Sequence, residues 1–217
     1  MNAQNIAYSL NAQQKGLVTI SALTAVGDLE NLKIELNAGL DNGISINEMK
    51  EALVQLYAYC GFPRSLNALN TFKTVLDGRK AKGILDKVGK EIIIDNNTAD
   101  KYEQGRKVLE ILTKTPQSRP APGFGEFTPR IDTFLKEHLF ADIFVSEVLS
   151  YQQREFITIA ALAAITGVEG QLQAHIGMGM NTGITAGQIN EAFGIIEKTV
   201  SKEQAEKARA VFSKMQK

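Results

Sequence analysis

Apolar residues recur at helical spacing through most of the chain. The clearest case is the segment from Gly167 to Gly183, where Leu172, His175, Ile176 and Gly179 follow the i, i+3, i+4, i+7 spacing of one helix face. This spacing predicts a helix of about four turns that ends at a glycine. His175 lies on the apolar stripe of that helix, so we expect the imidazole to be buried.

Four capping signals mark where predicted helices begin. Each has a polar N-cap residue followed three residues later by Gln or Glu, which is the pattern of a capping box. The N-cap residues are Asn11, Ser45, Ser150 and Thr185. In the first half, the pattern predicts helices over about residues 12–26, 29–42, 46–60 and 65–76, with Gly61-Phe62-Pro63 ending the third.

The middle of the chain has a different pattern. Residues 87–95 are charged around an Ile-Ile-Ile core, which fits either a short strand or an irregular connection, and Thr98 is positioned to cap a helix that reaches about Leu112. Four of the five prolines lie between residues 115 and 129, which indicates a linker. Thr128 and Pro129 then fit the N-cap and N1 positions of a new helix. This helix includes Phe134 to Phe144.

The pattern of the first half returns after Ser150. Thr158, Ile159, Ala161, Leu162 and Ala164 match Thr19, Ile20, Ala22, Leu23 and Ala25, and Arg154 corresponds to Lys15. After a shift of one residue in the alignment, six further positions are identical in the two halves. They are Leu172, Gly179, Gly183, Ile184, Glu191 and Ala192, which match Leu32, Gly39, Gly43, Ile44, Glu51 and Ala52. His175 corresponds to Glu35. A tandem repeat of three helices without βαβ alternation predicts an all-α fold.

Composition excludes several classes of function. Lys and Arg number 24, as do Asp and Glu, so no basic surplus suggests a nucleic-acid partner. The longest apolar run, residues 157–165, falls short of the ~18 residues of a membrane span. The single cysteine, Cys60, excludes an internal disulfide. The first residues lack a signal-peptide pattern, so we expect a cytoplasmic location, although a presequence removed earlier would leave no trace.

The motifs around these residues resemble the carboxymuconolactone decarboxylase family. They are Arg154-x-Phe-Ile-Thr-Ile-Ala-Ala-Leu, Leu172-x-x-His175-Ile and Gly183-Ile-Thr-x-x-Gln-Ile-x-Glu191, with Gly43-Ile-Ser-x-x-Glu-Met-x-Glu51 and Tyr59-Cys-Gly-Phe-Pro63 in the first half. The resemblance implies the all-helical AhpD-like fold, here a fused pseudo-dimer, and a homo-oligomer such as a trimer of pseudo-dimers. We expect repeats at residues 1–80 and 129–217, joined by a connecting segment at residues 81–128.

The resemblance also implies a site. His175 is the expected proton carrier, since an imidazole pKa near neutrality suits acid and base roles, although the spacing alone favours a core histidine. Arg154 is a candidate for holding a substrate carboxylate, or else a solvated residue at a helix start. Glu35 is a second acid/base candidate or a surface carboxylate, and Tyr59 and Lys15 are candidates for substrate binding. The matched pair Glu51 and Glu191 is equally compatible with solvent-facing positions.

These residues favour a cofactor-free lyase or isomerase acting on a small carboxylated lactone or related acid. The peroxidase branch of the superfamily carries a Cys-x-x-Cys pair, and Val168 and Gln171 occupy those positions here. A dithiol cycle needs two sulfurs within reach, so the alkylhydroperoxidase alternative is disfavoured. A non-catalytic binding protein on the same fold is the third alternative. No pattern indicates a metal site, and His138 is expected to be exposed.

Overall fold

The computed structural model describes residues 9–93 and 100–216, and these residues form helices and irregular connections without a strand. In the first half, helices α1 to α5 span Ala12–Val26, Leu29–Asp41, Ile46–Gln55, Tyr57–Cys60 and Phe62–Ala81. In the middle, α6, α7 and α8 span Lys101–Thr113, Phe124–Phe127 and Pro129–Thr133. A π-helix at Phe134–Ile143 follows, and then α9 to α12 at Tyr151–Ala164, Glu169–Asn181, Ala186–Thr199 and Lys202–Met215. The all-α prediction is confirmed.

The helix starts follow the capping signals closely. All four N-cap residues accept a hydrogen bond from the backbone three residues on, and the Gln or Glu at that position bonds back to the cap. Gly43 and Gly183 adopt φ of 85° and 96° just after α2 and α10. These left-handed conformations turn the chain at low cost only because glycine has no side chain.

Equivalent helices of the two halves face each other. Helix α1 packs along α9, and both contribute to one apolar core that contains residues from the two repeats. The polar contacts are also paired: Lys15 binds Glu191 at 2.8 Å, and Arg154 binds Glu51 at 2.9 Å. Each cation therefore reaches the carboxylate of the other repeat, as expected of a pseudo-dimer within one chain.

Several predicted boundaries need correction. The helix predicted at residues 65–76 spans Phe62–Ala81. Pro63 does not stop it, because it lies in the first turn, where backbone N–H groups have no partner within the helix and a proline loses no hydrogen bond. The third helix breaks at Leu56 instead of running unbroken to Cys60. Helix α8 begins at Pro129 as predicted, but the Thr128 side chain makes no capping bond. Thr98 lies outside the described residues, and α6 is capped by Asp100.

The segment that follows α5 caps a helix of the first repeat. Residues 84–93 form neither helix nor strand, which favours the irregular alternative for the described part of residues 87–95. The carbonyls of Lys87 and Val88 accept the N–H groups of Ile46 and Asn47 at 2.9 and 3.0 Å. These contacts satisfy donors in the first turn of α3 that have no partner within the helix.

The middle of the chain packs on the second repeat through a buried polar cluster. Lys136 of the π-helix is fully buried and bonds Asp132 at 2.9 Å and the hydroxyl of Tyr102 on α6 at 2.8 Å. Burial opposes ionisation of Asp132, but the hydrogen bonds from Tyr102 and Lys136 prevail and lower its pKa. Together these contacts fix α6 against the π-helix. No helix of the described residues is long and apolar enough to cross a membrane.

Gly105 allows this close approach of α6, and its replacement by alanine is expected to be costly. A Cβ at residue 105 would overlap the backbone carbonyl of Lys136, so the two helices would have to separate. We expect Gly105→Ala to lower the free energy of unfolding by at least about 1–3 kcal/mol, the cost of an overpacked core. Gly194→Ala is the control, because a Cβ there meets no atom within 4 Å. Equal free energies of unfolding in urea for Gly105→Ala, Gly194→Ala and the wild type would contradict this packing.

Candidate functional site

His175 lies on α10 and pairs with a buried carboxylate of α9. The imidazole residue is 6% exposed, and its Nδ1 lies 2.8 Å from Oε2 of the fully buried Glu155. An ionised carboxylate can only accept a hydrogen bond, so with Glu155 ionised Nδ1 is the protonated nitrogen and donates a hydrogen bond to Glu155. Nε2 is then the basic nitrogen, and among the described residues it has no hydrogen-bond partner. The arrangement leaves His175 with one atom free to accept a proton.

Tyr59 of the first repeat covers the imidazole. Its ring centroid lies 5.2 Å from that of His175, and the two rings are nearly perpendicular, at 83°. The Tyr59 hydroxyl is buried and lies near the Thr158 side chain, without a partner at good hydrogen-bond geometry. Burial, and then the negative charge of Glu155, raises the pKa of this phenol well above its usual value. Tyr59 therefore stays protonated and can donate one hydrogen bond to a ligand beside His175.

Arg154 is buried, so the alternative that it is a solvated residue at a helix start is wrong. Its side chain is 0% exposed. Nη1 donates to Gln55 at 3.0 Å, and Nη2 donates to Glu51 and to the Ser146 carbonyl, both at 2.9 Å. Burial lowers the Arg154 pKa, partly offset by the hydrogen bond to Glu51. Three of the five N–H groups of Arg154 are thus engaged, and a bidentate grip on a substrate carboxylate through both Nη atoms would require Nη2 to give up a partner.

The other two first-repeat candidates, Lys15 and Glu35, are not joined to His175 by any described contact. Lys15 is half-exposed and bound to Glu191. Glu35 is partly exposed on α2. The position matching Glu155 is Gly16, so the first repeat has neither the carboxylate nor the imidazole of the pair. The site is therefore single and composite, with Tyr59 from one repeat and the His175–Glu155 pair from the other.

Two carboxylates of this site were missed or misjudged from the sequence. Glu155 was not singled out, although it stands at the start of the longest apolar run, where its counterpart is glycine. Glu51 was given a solvent-facing alternative, but it is 7% exposed and paired with Arg154. A charged residue within an apolar run was the available signal, because a buried charge needs a partner.

Four buried polar atoms in this region have no hydrogen-bond partner. They are Oε1 of Glu155, Nε of Arg154, the hydroxyl of Tyr59 and the hydroxyl of Ser146. Buried polar atoms are nearly always paired with protein or with an ordered molecule, so unpaired groups indicate where water or a ligand binds. The groove of about 340 Å³ lined by Ser45, Glu48, Lys87, Gly89, Lys90 and Val148 contains none of these atoms.

An apolar cluster packs against Tyr59, whose ring contacts the imidazole. Met178, one turn after His175, belongs to a second apolar cluster, and Tyr59 packs against that cluster. The cluster consists of Val108, Leu112, Leu139, Phe140, Ile143, Phe144 and Met178. Most of its members come from α6 and the π-helix, so these two elements supply apolar surface against which Tyr59 packs.

The remaining candidate groups lie apart from this chemistry. His138 is exposed as predicted, and its Nδ1 lies 2.9 Å from Oδ2 of Asp142. The Cys60 thiol bonds the Leu56 carbonyl at 3.1 Å, and burial raises its pKa, with a smaller opposing effect of Arg64. A thiol with a raised pKa is a weak nucleophile. Among residues 9–93 and 100–216, no group of three or more His, Cys, Asp or Glu is placed to hold a metal ion.

Comparison with known proteins agrees with the two-repeat arrangement. The carboxymuconolactone decarboxylase family matches residues 2–74 and 129–214. A 4-carboxymuconolactone decarboxylase of Acinetobacter baylyi is 35% identical over 61 residues, which are 28% of this chain and 46% of that relative. The chain thus spans about half the length of the relative. Because the two family matches together cover most of the sequence, the chain belongs to the carboxymuconolactone decarboxylase family.

Proposed function

We propose that this protein is a cofactor-free lyase or isomerase that moves a proton at a carbon next to a carbonyl group. The observation that carries the proposal is the buried His175–Glu155 pair, whose imidazole ring contacts the ring of Tyr59. Glu155 fixes the tautomer and stabilises the imidazolium that forms when Nε2 takes a proton.

The same groups suit the two reactions that the family suggests. In an isomerisation, Nε2 removes a proton from carbon, the electron pair enters the carbonyl as an enolate, and the imidazolium returns the proton to another carbon. In a decarboxylation, His175 first takes a proton from water on Nε2; the bond to the carboxylate then breaks, CO2 leaves, and the enolate carbon takes that proton from the imidazolium. Tyr59 donates a hydrogen bond to the enolate oxygen in both reactions, where negative charge develops.

Arg154 has an indirect role in this proposal. Its Nη groups hold Glu51, Gln55 and the Ser146 carbonyl, which ties the start of α9 to the first repeat. Glu155 is the next residue of α9, so the Arg154 contacts help to fix the carboxylate that orients His175. The relative named as acting on 4-carboxymuconolactone supports a carboxylated lactone as one substrate to try.

Deuterium incorporation tests the proposed chemistry without a known substrate. The wild-type protein is incubated in D2O with small lactones and ketones, and loss of the α-C–H signals is followed by proton NMR. We expect exchange on at least one compound at a rate proportional to protein concentration. Failure to catalyse either exchange or loss of CO2 across a set of lactones, ketones and their carboxylates would contradict the proposal.

Replacing Tyr59 by phenylalanine separates catalysis from packing. The ring contact with His175 remains, and the hydroxyl that is lost makes at most a weak contact with Thr158, so we expect the free energy of unfolding to fall by about 1 kcal/mol or less. The rate of exchange is expected to fall by about 10²-fold, the effect of removing one donor to an oxyanion. Tyr57→Phe is the control, because Tyr57 stacks on Phe62 instead. Equal rates in Tyr59→Phe and the wild type would remove Tyr59 from the mechanism.

A further inference from the structure

We propose that an exposed aromatic surface, formed by the first repeat and the middle of the chain together, binds a second copy of this chain. Its members are Phe62, Phe127, Ile131 and Phe134, and we call these four residues the aromatic surface. The inference concerns how the protein assembles, so it does not depend on the proposed chemistry.

Large apolar side chains of this surface stand in solvent. Phe127 is 88% exposed, Phe62 is 61% exposed and Phe134 is 52% exposed, and about half of Ile131 is exposed as well. Single exposed apolar residues are normal on any protein, but a contiguous group of them marks an interaction site. The question is therefore whether these four residues adjoin one another.

Ring contacts join the two parts of the aromatic surface. Phe62 stacks on Tyr57 with ring centroids 4.3 Å apart, and the Tyr57 centroid lies 5.5 Å from that of His138 on the π-helix. Phe134 precedes His138 by about one turn of the same helix. Helix α7 packs on α8, and α8 packs on the π-helix, so the other two members lie next to Phe134.

The exposed apolar area matches the need of a stable interface. A phenylalanine side chain covers about 150–250 Å², so the aromatic surface leaves about 400–500 Å² of apolar area in water. A standard interface covers about 800 Å² on each partner, and rather more than half of that area is apolar. The aromatic surface therefore supplies the apolar part of one standard interface.

The charges beside this surface favour a copy of the same chain as its partner. The guanidinium carbon of Arg130 lies 5.4 Å from the centroid of the Phe134 ring, and Glu137 follows on the π-helix. Neither makes an ion pair with a residue that the structure describes. Unpaired charges of both signs suit a partner of mixed charge, whereas an anionic membrane attracts clustered Lys and Arg. The formal net charge of the chain is zero, so two copies do not repel each other.

Sedimentation velocity of the fluorescently labelled full chain, from nanomolar to micromolar concentration, tests the proposal. We expect the wild type to associate in this range. Phe127→Lys should raise the dissociation constant at least about tenfold, because it removes an aromatic anchor and places a charge in the interface. Phe62→Lys should act in the same direction from the first repeat. Both side chains are largely exposed, and circular dichroism confirms that the variants are folded.

Leu85→Lys is the matched control for the loss of an exposed apolar residue. Leu85 is 97% exposed and follows the C-terminal end of α5, whereas Phe62 begins that helix. The 20 residues of α5 give it a length of about 30 Å, so Leu85 lies well outside the aromatic surface. This variant should associate with the dissociation constant of the wild type.

A wild type that stays monomeric over the whole range would overturn the proposal. Association that neither Phe127→Lys nor Phe62→Lys weakens would overturn it too, and so would equal weakening by Leu85→Lys. Flotation with phosphatidylcholine and phosphatidylglycerol vesicles tests the membrane alternative. A monomeric wild type that floats with these vesicles, and a Phe127→Lys variant that does not, would assign the surface to lipid instead. None of these measurements needs a substrate, so they are separate from the test of proton transfer.

Discussion

Replacing Arg154 by methionine is expected to destabilise the protein by about 3–5 kcal/mol. The substitution leaves Glu51 buried at the interface of the repeats without its cation, and removal of one partner of a buried ion pair has a cost of this size. Gln55 would also lose the donor to its side-chain oxygen. Unfolding by urea, followed by circular dichroism, measures the change.

The pseudo-symmetry of the fold provides a matched control. Lys15→Met breaks the equivalent pair with Glu191, but both side chains are partly exposed, so the expected loss is below about 1 kcal/mol. The double variant Arg154→Met, Glu51→Leu should recover most of the stability that Arg154→Met loses, since an apolar pair can replace a buried ion pair. Equal effects of Arg154→Met and Lys15→Met would show that the buried pair does not join the repeats.

Replacing His175 by glutamine is expected to lower the rate of exchange by about 10²–10⁴-fold, the usual contribution of a positioned acid or base. Glutamine retains a group that can donate to Glu155, so we expect the fold to be kept. The glutamine amide cannot accept and return a proton as the imidazole does. The rate is measured by deuterium incorporation, with circular dichroism to confirm folding.

The second histidine serves as the control for this experiment. His138 also has its Nδ1 within 2.9 Å of a carboxylate, but it is exposed and lies on the π-helix. His138→Gln should leave the exchange rate within about twofold of the wild type, because a surface pair lacks the enclosed site. A His175→Gln protein that exchanges at the wild-type rate would remove the imidazole from the mechanism.

The helices of the two repeats could be predicted from the sequence because local chemistry determines their ends. The capping boxes at Asn11, Ser45, Ser150 and Thr185 are contacts within four residues of one another, and all four are formed. The match between repeats also identified the fold class. The buried position of His175 followed from the spacing of apolar residues on α10.

The partners of the site could not be predicted in the same way, because they come from distant parts of the chain. Glu155 and His175 are 20 residues apart, and Arg154 and Glu51 are 103 residues apart. Periodicity places a residue on a helix face but does not state which helix that face contacts. For the same reason, the packing of the middle segment was missed: α6 lies against the π-helix through Gly105 and the Lys136 cluster, whose contacts are tertiary.

The tautomer of His175 is the most direct test of the account, and nitrogen-15 NMR of histidine-labelled protein measures it. The chain has two histidines, so His175→Gln and His138→Gln assign both sets of signals. We predict that neutral His175 carries its proton on Nδ1 and that Nε2 is unprotonated. The nitrogen-15 chemical shift of Nε2 is expected to change when an enol lactone binds. A proton found on Nε2, with Nδ1 bare against Glu155, would contradict the assignment of His175 as the base.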